Sequence, residues 1–160
     1  MSRAFLYHNF VFTKKKDMKM KMQIHPSLWG IRSVSFWSVL ILALGIIYIG
    51  VRFITHPETG AQGYGIAFQN AGDIAYGKIK GIRDIVSGLV LLPLLWMRMR
   101  KAVAWVFSIA TLVPVCDFLI ILHYNGSHDI AHLLVHGLTA AVMVITSILL
   151  FYGISTSPKN

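Results

Sequence analysis

Charge is scarce in this sequence. Asp, Glu, Lys and Arg make up 13% of its 160 residues, against 56% hydrophobic, and the mean hydropathy is +0.64. About a quarter of the residues in a soluble domain are charged, so a chain this poor in them is not expected to clothe a globule in solvated side chains. Cysteine is scarcer still. Cys116 stands alone, which excludes an intrachain disulfide and leaves no CxxC or zinc-finger pattern. Inside an apolar run, that thiol is expected to be buried and inert. Catalytic signatures are missing too. No histidine is followed by glutamate in the H-E-x-x-H order of metalloproteases, and no Gly-rich phosphate loop follows a strand. Ser87 lies three residues after Asp84 and Cys116 adjoins Asp117, yet neither has a histidine at a useful local spacing for a nucleophile.

What the chain does have is long apolar blocks, at about 33–54, 80–97, 102–123 and 129–153. A helix needs about 20 such residues to cross a hydrocarbon core. The blocks therefore predict an all-α, four-helix transmembrane bundle in a plasma or bacterial inner membrane. It forms one membrane domain at 29–154, with a basic tail at 1–28 and a short polar tail at 155–160. The first block exceeds the h-region of a signal peptide and three more follow it, so it reads as an uncleaved span. Trp29, Phe36 and Trp37 at its start are expected to act as interfacial anchors. Residues 55–80 are rich in glycine and read as an external loop, with a brief helix starting at Pro57. That loop either lies at the interface on its aromatic side chains or closes as a lid over a cavity. Pro93 is expected to kink the second span, and Asn125-Gly126 to turn the chain into the fourth.

The formal charge is +9, which invites a nucleic-acid reading, but most of the basic residues flank apolar blocks. That distribution fits topology signals and anionic lipid headgroups, so nucleic acid is rejected as a partner and membrane lipids are expected. The basic flanks are the N-terminal cluster, Arg32, the Arg98-Arg100-Lys101 turn and Lys159. They all fall on one side, and both termini are accordingly expected in the cytoplasm. Lys14, Lys15, Lys16, Lys19 and Lys21 lie among Met18, Met20 and Met22 without an apolar helix face. They read as a lipid-touching polybasic segment, as an unstructured tail, or as a stretch ahead of a later start.

The polar residues within the blocks carry the functional question. Gly77, Gly81, Asp84 and Gly88 fall on one helical stripe, a face that a neighbouring helix can approach closely. Counted at about 1.5 Å of rise per residue, Arg52, Arg83, Asp84, Asp117 and His136 all come to the outer half of the bilayer. Their formal charges nearly cancel, as buried charges that persist usually do. One reading is a structural ion-pair network that pairs Arg83 with Asp84 and Asp117 and fixes helix register. The other is a ligand, substrate or ion site, since intramembrane ionisable groups often mark function. His128, His132 and His136 recur at the four-residue spacing that lets two histidines share a metal. Further ligands are not evident, so no metal is expected, with His128 and His132 as the weak candidates, and no cofactor is implied.

These residues place the chain beside a known family. Arg52-Phe53, Pro57, Tyr64-Gly65-Ile66, Tyr76, Gly81-Ile82-Arg83-Asp84 with Gly88, Pro114, Asp117 and His136-Gly137 resemble the small bacterial and fungal membrane proteins grouped as domain of unknown function 4267. The resemblance covers about residues 33–152. It implies four transmembrane helices and brings no established activity. The leading expectation is a binding or enzyme-like membrane protein with a polar pocket beneath the 55–80 loop, taking a small hydrophobic or amphipathic molecule or a lipid. Asp84 and Asp117 would be acid, base or cation-pairing groups. Arg83 and Arg52 would hold an anionic headgroup or neutralise the aspartates, and His136 would change protonation near neutral pH. The alternatives are a small ion- or proton-coupled transporter, working as a homo-oligomer, and an accessory subunit whose charges only fix packing.

Overall fold

The computed structural model describes residues 29–155, and they fold as helices joined by short connections. In chain order these are α1 (Val34–Thr55), α2 (Pro57–Tyr64), α3 (Asp73–Trp96), α4 (Arg100–Ala110), α5 (Leu112–Asn125) and α6 (Ile130–Ser155). The basic tail lies outside the described residues. Three stretches among the described residues are long and apolar enough to cross a membrane: Val34–Thr55, Arg100–Asn125 and Ile130–Ser155. The 24-residue α3 is long enough, but its first half carries Asp73, Lys78, Lys80, Arg83 and Asp84.

The short helix at Pro57 is present, with proline in its first turn and Gly65 closing it at φ 112°, a left-handed conformation that favours glycine. The expected loop, however, is largely helix. α3 begins at Asp73 rather than near residue 80, and the Asp73 carboxylate accepts the backbone N–H groups of Gln69 and Asn70 at 2.8 and 2.9 Å just ahead of it. Gly77, which also punctuates that loop, and Gly81 are packing residues, as the glycine stripe predicts. A Cβ on Gly81 would sit 2.6 Å from the Gly50 carbonyl oxygen, and one on Gly50 would sit 2.5 Å from the Gly81 carbonyl oxygen. α1 and α3 thus touch backbone to backbone, the close approach that small residues permit between helices.

The third block is two helices in line, broken at Thr111. Pro114 has no N–H to give the Ala110 carbonyl four residues back, and buried Thr111 turns its hydroxyl to the Phe107 carbonyl at 3.0 Å. Two expectations need correction here. Cys116 is exposed on α5 rather than buried, because it lies on the outward side of that helix. Trp29 is buried at 3% exposure and donates its indole N–H to Ser35 Oγ at 2.9 Å, so it belongs to the core rather than to an interfacial belt.

That core fills one end of the bundle. Val39 and Ala43 of α1, Leu91 and Leu95 of α3, Val103, Ala104 and Phe107 of α4, and Met143 and Leu150 of α6 pack with Trp29. Arg100 closes this end, donating from Nε to the Leu150 carbonyl at 3.0 Å and from Nη2 to the Leu149 carbonyl at 2.9 Å. A side chain at Gly153 would collide with that guanidinium. The opposite end, capped by α2, is where the polar side chains meet.

Candidate functional site

Five helices each bring a side chain to the α2 end. α1 gives Phe53, α2 gives Tyr64, α3 gives Lys80 and Asp84, α5 gives Asp117, and α6 gives His136. Lys80 Nζ lies 2.5 Å from Asp84 Oδ2. The same ammonium stands 4.6 Å from the Phe53 ring centroid and 4.7 Å from that of Tyr64, well within the reach of a cation–π attraction. The two rings meet edge to face, 6.1 Å apart at 77°.

Tyr64 joins this arrangement to the histidine. Its ring packs edge-on against His136 at 4.7 Å, and its backbone carbonyl accepts a hydrogen bond from His136 Nε2 at 2.9 Å. With the proton on Nε2, His136 turns Nδ1 toward Asp117 Oδ2, 3.9 Å away. The Tyr64 phenol is pushed well above its ordinary pKa, first by burial, then by a hydrogen bond to Asp117, then by the charges of Asp117 and Asp84. It therefore stays protonated and acts as a donor. His136 is itself buried at 7% exposure.

The expected residues divide cleanly. Asp84, Asp117 and His136 come together as expected from their depth. Arg83 does not join them: its side chain is exposed, and Asp84 pairs with Lys80 instead. Adjacent helical residues point about 100° apart, so Arg83 and Asp84 cannot share one face, whereas residues four apart do. Arg52 is exposed too, and neither arginine forms an ion pair among the described residues. The residues missed are Lys80, Tyr64 and Phe53. Lys80 was findable, since it lies on the Gly77–Gly81–Asp84 stripe; nothing in spacing alone marked Tyr64.

The other histidines serve the rim. His128 precedes α6, and His132 Nδ1 lies 2.7 Å from Asp129 Oδ1. Asn125 Nδ2 donates to Asp129 Oδ2 at 2.5 Å and to the Gly65 carbonyl at 2.6 Å, tying the end of α2 to the α5–α6 turn. The Asn125 amide, and after it His132, holds the Asp129 carboxyl below the usual range. Among the described residues no three His, Cys, Asp or Glu side chains gather as a metal would require. A groove of about 390 Å³ opens away from this cluster, between α4 and α6, lined by Ser108, Thr111, Val144, Ser147, Ile148 and Phe151.

A family model described as a domain of unknown function (DUF4267) matches residues 43–150, a stretch that includes every residue of this cluster. No curated protein and no solved structure matches the chain.

Proposed function

The chain belongs to the DUF4267 family, a domain of unknown function, and from its own residues we propose that it binds a small amphipathic molecule or lipid by its headgroup. The site is the Tyr64–Lys80–Asp84–Asp117–His136 cluster. In this reading α3 is a fourth span, both termini are cytoplasmic, and the cluster lies in the outer half of the bilayer. Reporter fusions test the topology: those after Arg100 and Tyr152 read cytoplasmic, and those near Gln69 and Asn125 read external. An external reading after Tyr152 overturns it.

One observation carries the binding proposal, the balance of charge. With Arg83 and Arg52 facing away, two carboxylates, Asp84 and Asp117, face a single ammonium, Lys80. His136 can supply a second positive charge only by taking a proton on Nδ1. Leaving a largely buried carboxylate uncompensated is costly, so the cluster is suited to a headgroup that brings a positive charge. The transporter alternative requires a polar route through the other end, and there Val39, Leu91, Leu95, Val103, Phe107 and Leu150 pack as an apolar plug.

Native mass spectrometry of the protein in mild detergent tests the proposal. The wild type retains a lipid or amphiphile adduct, and Asp117→Asn, with its helix content intact by circular dichroism, loses it. No adduct on the wild type, or equal retention by the variant, overturns the headgroup reading and leaves a cluster that only fixes packing.

A further inference from the structure

Resting on that reading, we propose that Phe53, Tyr64 and Asp84 form a cage for an organic ammonium group, and that Lys80 is a tethered occupant which an incoming ammonium must displace. The cage has the parts that cation recognition needs. Two aromatic rings stand 4.6 and 4.7 Å from one ammonium nitrogen, and a carboxylate closes a third side. The negative faces of the rings and the two carboxylates repel an anion, so the phosphate or carboxylate of a headgroup has no place at this point. The ring distances suit a polyatomic ammonium that fills the space by van der Waals contact.

Helix support does not account for Lys80. A basic residue four positions before an acid is the less favourable order of that pair on a helix, and the contact takes the ammonium over two rings from two other helices. The lysine is also the part of the cage that can leave. Its side chain is 30% exposed against 13% for Asp84, so the cage opens on the lysine's side. Lys80 stands about two turns from the start of α3, close enough to the outer face for its flexible stem to carry the charge into water when displaced. The bound state then keeps Asp84 paired, now with the ligand's ammonium, and leaves Lys80 hydrated. This assigns Lys80 the part of a built-in competitor, which sets a threshold of affinity that weakly held cations do not pass.

The test is chemical rescue in Lys80→Gln and in the near-isosteric Lys80→Met, read by thermal unfolding and by binding. Removing the tethered ammonium empties the cage, and two ring contacts are worth about tenfold in affinity. Dodecyltrimethylammonium therefore binds either variant about tenfold more tightly than the wild type and raises the variants' Tm, while sodium and potassium chloride at equal ionic strength do not. Tetramethylammonium distinguishes the sources: rescue by it as well means that a free organic cation suffices, and rescue by the alkylated probe alone means that the ammonium arrives on a lipid-like chain. Phe53→Ala in the Lys80→Met background abolishes the gain. If the variants bind the ammonium probes no better than the wild type and lose an alkyl phosphate that the wild type holds, Lys80 is an anion contact; the cage is overturned and the headgroup reading stands. If no amphiphile binds any of the chains, both fall.

Discussion

At one end of the bundle Val39, Val103 and Leu150 have no exposed surface and Phe107 has 1%. At the other, Lys80 and Asp84 keep 30% and 13% of their side chains exposed, and His136 hydrogen-bonds a backbone carbonyl from a different helix. α1, α3 and α6 run through both ends, so along these three the contrast comes from their side chains. The apolar end holds through area and shape, which tolerate no gap and need no partner. The polar end holds through the Lys80–Asp84 pair and the His136 hydrogen bond, and in the proposed reading the pair is where a ligand substitutes for a protein group.

The largest effect is expected where α1 and α3 touch. Gly81→Val has no room, since even a Cβ would lie 2.6 Å from the Gly50 carbonyl oxygen, and the chain should show no cooperative unfolding transition in detergent. Phe107→Ala, at the apolar end, should leave the fold in place and cost about 3–5 kcal/mol through the cavity it opens. A cooperative Gly81→Val chain, no less stable than Phe107→Ala, would mean that the backbone contact does not organise the bundle.

At the polar end the effects should be smaller and coupled. Lys80→Gln or Asp84→Asn alone should cost about 1–3 kcal/mol, below the figure for a fully buried pair because Lys80 is partly exposed. The double variant should recover part of that loss, with a coupling of at least about 0.5 kcal/mol, the mark of residues that share a contact. Arg83→Gln should lie within about 0.5 kcal/mol of the wild type and add simply to Asp84→Asn. Coupling of Asp84 to Arg83 rather than to Lys80 would break this assignment.

The limits of the sequence reading follow the same division. α1 and α6 run Val34–Thr55 and Ile130–Ser155 where apolar runs placed them at 33–54 and 129–153, because an uninterrupted apolar run states its own length. Depth counting brought Asp84, Asp117 and His136 to one level, and they do meet. The start of α3 was hidden because glycine serves both as a turn residue and as a helix-packing residue, and composition does not separate the two. Adjacency in sequence suggests Arg83 as the partner of Asp84, although helical geometry favours Lys80, four positions away. Tyr64 was hidden for a different reason. It reaches the cluster by way of α2 folding back over the bundle, a tertiary event without a periodic signal, and its backbone carbonyl, which any residue could supply, is what His136 uses.

The smallest effect separates the two ends by acidity. Asp73 is held below the usual carboxylate range by the backbone N–H groups of Asn70 and Gln69, and Asp129 by the Asn125 amide and then His132. A carboxyl whose pKa is lower in the folded chain binds its proton more weakly there than in the unfolded chain. Its contribution to stability is thus complete above the unfolded value, near pH 4, and is lost as pH falls from there through the folded value. Both groups are partly exposed at the surface, so the loss in global stability is slight, but both secure the polar end: Asp73 organises the start of α3, and Asp129 anchors Asn125, which holds Gly65 at the close of α2. The apolar end has no such carboxylate among its core residues. Amide protection measured by hydrogen exchange at pH 6 and pH 3 should therefore fall first at residues 65–73 and 126–132, while Val103 to Phe107 keep theirs. Asn125→Ala should flatten the change at 126–132 by returning Asp129 toward its ordinary value, and leave the change around Asp73 in place. Loss of protection at α4 before residues 65–73 and 126–132 would mean that acid acts through groups other than these, and that the apolar end is not the more stable of the two.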